Sequence, residues 1–489
     1  MVATQGILLP SLSNEDLNQI LGVSVLSCSQ KFRFKSMAWD SRHSAGDLFV
    51  AINGISFDGH QLIEEKIAAG AQGIVAEIQP PQDLPKNISW WHVQDSRKEL
   101  AHLSHAAYGS PASKLQVYGV TGTNGKSSTV RWLASILQSA GLETGWMTTV
   151  DRCVASEISQ SSCTTAPATE LAEALNRHHK SGGQAMVLEV SSHAIHQSRV
   201  AGISWVAAGV TQLGRDHLDY HKTVDAYHRV KLGLQSSCKT DGAFLVPVEG
   251  GSDSYESAFE DRLGNNRWTA RVEERNLKVT HAVLSGPGVS LKVALPRPGK
   301  HDLSNALCAA AMAYSSGISK EAIQIGLETG ELVEGRMEEI SPGIFVDYAH
   351  TPDALQAVLT TCRGLCTGSL RVVFGCGGDR DRGKRPEMGR VADEAADVIY
   401  LTDDNPRSEN PSAIIEDIVS GVRDRDSIRI SSDRRSAIET AVDSHDYSQG
   451  DILVVAGKGH EKTQEVDGVF SPFSDSEVIL ECLGQESRV

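Results

Sequence analysis

The chain has 489 residues, too many for one hydrophobic core, so its length predicts roughly two to four domains. An apolar fraction of 40% with 44 glycines excludes a disordered or fibrous protein and suits an α/β enzyme. A formal charge of −16 excludes a general nucleic-acid binder, which would carry a basic face.

From Met1 to Asn18 no basic segment precedes an apolar one, so no secretory signal is expected. No stretch reaches the roughly 18 apolar residues of a membrane span. The nine cysteines are scattered and odd in number, which fits a reducing compartment. Cys362, Cys366 and Cys376 form the one cluster, but without histidines or a second pair at zinc spacing they read as buried thiols. A cytoplasmic enzyme is the expectation.

Residues 1 to about 110 mix short apolar runs, 47–52 and 73–76, with turn-rich segments, and a Gly-Ser-Pro cluster near 109–111 marks a boundary. A strand is predicted over 115–120, then a glycine turn, then a helix over 126–140. In that helix Val130, Leu133 and Leu137 recur at helical spacing and Gly141 terminates it. Strands over 185–190 and 205–211 are apolar on both faces, as a covered parallel sheet demands. From about residue 334, strands over 344–348, 370–374, 398–402, 427–430 and 452–456 alternate with helices over 354–365, 411–422 and 434–444. This is the pattern of βαβ units and of a second doubly wound sheet. The fold class is α/β in three domains: 1–112, 113–333 with a mostly parallel sheet, and 334–489.

The segment 121–128 reads Thr-Gly-Thr-Asn-Gly-Lys-Ser-Ser between that strand and helix. Glycines let backbone N–H groups turn toward phosphates, and the helix N-terminus adds its positive end. Gly122, Thr123, Asn124, Gly125, Lys126, Ser127 and Ser128 are therefore assigned to ATP, with Lys126 on the β/γ-phosphates and the Ser127 hydroxyl on Mg²⁺. The glycines stand at 119 and 122, off the register of the common phosphate loop. Glu189, at the end of a predicted strand, is either a second Mg²⁺ ligand or a solvated strand-end acid. Residues 215–221, Arg-Asp-His-Leu-Asp-Tyr-His, crowd charge at another strand end. A zinc site on His217 and His221 is conceivable there, but nothing else supports it.

In order, TGTNGKSS at 121–128, EVSSHAIHQSR at 189–199, RDHLDYH at 215–221 and Lys231 resemble the central domain of the Mur ligases. These enzymes join amino acids to peptidoglycan precursors. The resemblance runs from Asp40-Ser-Arg42 to Phe473-Ser-Asp475. It implies an N-terminal UDP-binding domain, a central phosphate-loop ATPase domain and a C-terminal Rossmann-like domain that brings the amino acid. Among the members it is similar to those that add meso-2,6-diaminopimelate to UDP-N-acetylmuramoyl-L-alanyl-D-glutamate. That implies UDP contacts at Trp39, Ser41 and Ile55, and muramoyl-peptide contacts at Thr164, Thr165, Ser191, Gln197 and Arg199. Asn305, Arg336, Asp347 and His350 resemble the nucleotide-facing groups. Arg380, the run Asp404, Asn405, Pro406, Arg407, and Gly457 and Glu461 match the amino-acid pocket. Departures are Ser127 for threonine, Gln212 for asparagine, Glu334 for proline and Ser476 for arginine.

The implied chemistry transfers the ATP γ-phosphoryl group to a carboxylate, after which an amine attacks the acyl phosphate. Lys126 and Mg²⁺ offset the repulsion between the anions. Lys126, Glu189, His217 and Lys231 are the implied catalytic set. Ser127, Glu189, His217 and Lys231 are the implied metal ligands, Lys231 as a carbamate. Arg407 can hold the distal carboxylate of diaminopimelate and would repel the bare ammonium of lysine. The alternatives are a lysine-adding relative and a non-catalytic nucleotide-binding homologue. A monomer is expected, without nucleic-acid partners.

Overall fold

The computed structural model describes residues 6–27, 32–40, 46–54, 57–248, 256–330 and 333–485. Two compact units divide the chain. The first comprises 1–119, 142–206 and 233–242, and the second 120–141, 207–232 and 243–489.

In the first unit a five-stranded sheet runs in chain order through Ile7–Ser13, Arg33–Ala38, Leu48–Val50, Gly73–Ala76 and Ser89–His92. The first pair is antiparallel and the others are parallel. Because successive strand residues point to opposite faces, each unbroken apolar run feeds two cores. Val50, Val75 and Trp91 join Leu17, Phe34 and Met37 on one side. Phe49, Ile74 and Trp90 join Ala38 and Ile63 on the other. Both indoles buried in this sheet find an acceptor, Trp90 Nε1 on the Ile78 carbonyl at 3.1 Å and Trp91 Nε1 on Asn18 Oδ1 at 2.8 Å. The same unit holds the parallel pair Ala185–Glu189 and Thr144–Met147. Antiparallel strands Asp151–Val154 and Glu157–Gln160 extend that pair.

In the second unit helix Lys126–Ser139 follows the glycine turn, with Gly125 at its N-cap in the left-handed region, φ 84°. Helix Lys300–Ser315 is buried almost all round from Leu303 to Ala313, which its run of alanines permits. That helix is preceded by an antiparallel meander through Ser257–Asp261, Asn266–Arg275, Thr280–Gly286 and Val289–Leu295. The sequence reading named no strands in this region. The strand Thr280–Gly286 alternates buried and half-exposed side chains, a pattern weaker than the covered apolar runs that were recognised.

The C-terminal sheet has the order Glu338–Ser341, Ile344–Asp347, Ile452–Ala456, Leu370–Phe374, Val398–Leu401, Ile428–Ile430. From Ile344–Asp347 onward every pairing is parallel. Both faces are covered by buried clusters, one around Leu355, Phe374 and Ile415, the other around Val346, Val455 and Ile479. Covering helices Pro352–Leu365, Pro411–Val419 and Arg434–Asp443 begin on Thr351, Asn410 and Asp433, whose side chains accept an N–H of the first turn. Cys362 and Cys376 are buried thiols packed against this sheet, as expected, while Cys366, expected to be buried with them, is only half-buried. Among the described residues no helix is long and apolar enough to cross a membrane.

Candidate active site

Strand Gln116–Thr121 delivers the chain into the glycine turn. Gly122 has φ 147°, and a Cβ there would overlap Thr211 Oγ1; a Cβ on Gly125 would overlap the amide of Asn305. Both positions therefore demand glycine for space as well as for backbone angle. Gln212 braces the turn. Its carbonyl accepts from Thr123 N at 2.9 Å, and its Oε1 accepts from Asn124 Nδ2 at 3.1 Å. Lys126 Nζ donates to the Thr123 carbonyl at 2.9 Å, and Ser127 is buried.

Lys231 is almost fully buried on helix Val224–Leu232. Its Nζ donates to the Gly122 carbonyl at 2.6 Å and lies 4.3 Å from the Tyr227 ring centroid. His217 has φ 51°, a strained conformation for a non-glycine residue. Burial lowers its pKa; Asp216 opposes this, and the charges of Lys126 and Lys231 reinforce it. A neutral imidazole is thus favoured beside the phosphate loop. His217, Lys126 and Lys231, far apart in sequence, are brought together.

The loop after Ile344–Asp347 reaches the same region. Asn124 Nδ2 donates to Thr351 Oγ1 at 3.4 Å, and Lys384 Nζ donates to the His350 carbonyl at 2.8 Å. Burial and the neighbouring Lys384 lower the His350 pKa to about 4. Asp347, buried, accepts from Met337 N at 2.7 Å, and burial raises its pKa. The Arg336 guanidinium stacks 4.2 Å over the Tyr348 ring. Sequence reasoning missed Arg297, His301 and Asp302, which interact electrostatically with this cluster. Arg297 Nη1, His301 Nδ1, Asp302 Oδ2 and Arg336 Nε are buried and have no hydrogen-bond partner among the described residues. A group of such atoms suits a polar ligand. The signal for them was weak, a few charges ahead of an alanine-rich helix.

The amino-acid segment lies at the carboxyl ends of adjacent parallel strands, where ligands bind in such sheets. Loop 375–380 follows Leu370–Phe374, loop 402–409 follows Val398–Leu401, and loop 457–461 follows Ile452–Ala456. Arg407 Nη1 donates to the Gly378 carbonyl at 2.7 Å, and Arg407 Nε lies 3.2 Å from Glu465 Oε2. Asn405 Nδ2 donates to Glu461 Oε2 at 2.8 Å, which also pairs with the buried Lys458 Nζ at 3.0 Å. A Cβ on Gly457 would crowd the Asp404 carboxylate. Arg380 is exposed, bonded to the Asp379 carbonyl at 3.1 Å.

In the first unit the residues assigned to the muramoyl peptide form one cluster at the end of strand Ala185–Glu189. Glu189 Oε2 accepts from Thr149 N and Oε1 from Thr149 Oγ1, both at 2.9 Å. Thr149 Oγ1 also reaches Thr164 Oγ1 at 3.1 Å, and Thr165 Oγ1 donates to the Glu189 carbonyl at 2.9 Å. Ser191 N donates to Thr165 Oγ1, Arg199 Nη1 to the Thr165 carbonyl, and Arg199 Nη2 to Gln197 Oε1. Glu189 is 2% exposed, so it is no solvated strand-end acid. Sequence reasoning missed Thr149. Trp39 packs against the core around Phe34 and Trp91. Ser41 and Ile55 lie outside the described residues.

Two family descriptions match the chain, the Mur ligase middle domain over residues 120–313 and the Mur ligase glutamate ligase domain over 335–459. The chain belongs to the Mur ligase family. As a member, this ligase is an ATP-dependent enzyme. It is 38% identical over 469 residues to the UDP-N-acetylmuramoyl-L-alanyl-D-glutamate--2,6-diaminopimelate ligase of Chlorobaculum tepidum, covering 91% of this chain and 92% of that one. The protein of that name from Aquifex aeolicus is 37% identical, covering 94% and 95%. A solved structure of a ligase of the same name superposes with a TM-score of 0.64 at 27% identity, covering 97% of this chain and 99% of that one. The MurF ligase of Thermotoga maritima, solved with ADP, shares the fold at a TM-score of 0.57 and 18% identity, covering 91% and 96%.

Proposed function

We propose that this ligase joins meso-2,6-diaminopimelate to the D-glutamyl γ-carboxylate of UDP-N-acetylmuramoyl-L-alanyl-D-glutamate, in peptidoglycan precursor synthesis in the cytoplasm. The names of its relatives support the substrates. The observation that carries the amine choice is Arg407, set at the carboxyl edge of a parallel strand and tied to two neighbouring segments. The three-part division at 112/113 and 333/334, and a monomeric state, belong to the same proposal.

The phosphate loop holds ATP through Gly122 to Ser128, with Asn305, Arg336, Asp347 and His350 toward the nucleoside. The orphaned polar atoms of Arg297, His301, Asp302 and Arg336 fit that role. Lys126 meets the γ-phosphoryl group as it passes to the γ-carboxylate, and the amine of diaminopimelate then displaces phosphate from the acyl phosphate. Thr164, Thr165, Ser191, Gln197 and Arg199 hold the muramoyl peptide in register. Mg²⁺ when bound neutralises charge on the phosphates. Ser127, His217, Glu189 and Lys231 would hold it, Lys231 as its carbamate. Among the described residues no three His, Cys, Asp or Glu are grouped to hold a metal. Mg²⁺ is usually bound by few protein groups together with phosphate oxygens and water. The half-exposed His217, its pKa lowered so that the neutral imidazole is favoured, and the buried Lys231 amine beside the loop fit such a set.

The test compares ADP and phosphate release with meso-diaminopimelate and with L-lysine, each with ATP and the UDP-muramoyl dipeptide. Diaminopimelate is expected to win by at least about a hundredfold in kcat/KM. Preference for lysine would refute the amine assignment, and no release with either amine would point to a non-catalytic homologue.

A further inference from the structure

An arginine aimed at a ligand carboxylate needs more than charge, since its planar fork binds well only when its direction is fixed. Arg407 lies in the left-handed region, φ 52°, and its backbone is pinned from outside its own loop. Arg407 N donates to the Glu465 carbonyl at 3.1 Å, and Asp467 N donates to the Arg407 carbonyl at 2.8 Å. Glu465 belongs to strand Thr463–Val466, which pairs with Val469–Pro472 as an isolated two-stranded hairpin. The Glu465 carboxylate then takes the Nε side of the guanidinium at 3.2 Å, with both side chains about a fifth exposed, 22% and 23%. Nη1 is held by the Gly378 carbonyl. Nη2 makes no hydrogen bond among the described residues, so the fork is fixed on two sides and presents its remaining edge.

We propose that Glu465 is a positioning residue for amine selection, which aims the open edge of Arg407 at the distal carboxylate of the incoming amino acid. This inference rests on the reading of Arg407 as the carboxylate clamp. Glu465 acts through Arg407 and touches no reacting atom. Its main-chain bonds to Arg407 survive side-chain replacement, so Glu465→Ala removes the aim and leaves the hairpin in place.

The full-length enzyme is assayed with meso-diaminopimelate, ATP and the UDP-muramoyl dipeptide. Glu465→Ala is expected to raise KM for diaminopimelate about tenfold, with kcat and KM for ATP within about twofold. Glu465→Gln, which keeps an oxygen facing Nε, should recover to within about threefold of the parent. Adding Glu465→Ala to Arg407→Ala should cost less than about another twofold, because the two act as one unit. If Arg407→Ala alone leaves KM for diaminopimelate unchanged, the clamp reading fails and this inference fails with it. If Arg407→Ala raises KM but Glu465→Ala does not, or if the losses add in full, the clamp stands and the positioning role is overturned. A Glu465→Ala loss shared equally by KM for ATP would mark a general structural defect and also overturn it.

Discussion

Replacing Arg434 with methionine isolates a single buried negative charge. The Arg434 and Asp475 side chains are both 0% exposed and meet in two parallel bonds, Nε to Oδ1 at 2.8 Å and Nη2 to Oδ2 at 2.7 Å. The same guanidinium holds the Ala456 carbonyl at 2.9 Å and the Asp403 carbonyl at 3.3 Å. One-sided loss of a buried pair costs about 3–5 kcal/mol, because the abandoned carboxylate stays out of water. A chain of two units has no single unfolding free energy, so the readout must be local. Native-state hydrogen exchange in strands Ile452–Ala456 and Val398–Leu401 should accelerate by roughly two to three and a half orders of magnitude, at about 1.4 kcal/mol per factor of ten. Arg434→Met with Asp475→Leu removes both desolvation costs, and most of the protection should return. Acceleration below about tenfold, or a double variant as labile as the single one, would refute the reasoning.

Lys231→Ala should lower kcat about a hundredfold or more in a phosphate-release assay, and short carboxylic acids should restore part of it by supplying the lost oxygen anion. Full activity in Lys231→Arg would contradict a carbamate. Gly125→Ala places a methyl group against the Asn305 amide at φ 84°, so nucleotide affinity by fluorescence titration should fall about tenfold or more; unchanged affinity would show that the turn relaxes freely. Burial raises the Asp403 pKa to about 6 from an ordinary 3.8. The folded state therefore binds more protons than the unfolded one between those values, and this carboxyl lowers stability as pH rises through that window. Asp403→Asn should stabilise by about 1 kcal/mol above pH 6, discounted because the side chain is half-exposed, and by little near pH 4. Slowing of hydrogen exchange in strand Val398–Leu401 that is equal at about pH 5 and about pH 7.5, after allowing for intrinsic rates, would refute the cause.

The sheet that carries the amino-acid loops was legible because its inner strands are short apolar runs buried on both faces and helices Pro352–Leu365, Pro411–Val419 and Arg434–Asp443 open on a capping side chain. The strands 370–374 and 452–456 match residue for residue. The antiparallel meander after residue 256 was not legible, since its pattern breaks at bulges such as that between Val272 and Glu274. A local motif exposed the phosphate loop, whereas the run from Asp404 to Arg407 was found through the resemblance. Resemblance to relatives was needed for Lys231, which by its own sequence context would pass for a surface helix residue. Its burial and its bond to the Gly122 carbonyl arise from a contact between residues 109 positions apart. Arg297, Glu465 and Thr149 were invisible for the same reason. Their partners come from distant segments, and nothing local distinguishes them from ordinary polar residues.

Loops 375–380, 402–409 and 457–461 and the hairpin Thr463–Pro472 all hang from neighbouring strands of one sheet, within a single stretch of about a hundred residues. The side chains assigned to the incoming amine therefore form a cassette, separable in the gene from the phosphate loop. Acceptance of a new amine would travel with the whole stretch far better than with residue 407 alone. A lone arginine moved into another ligase would arrive without the Gly378 carbonyl, the strand partner and the carboxylate that give it direction.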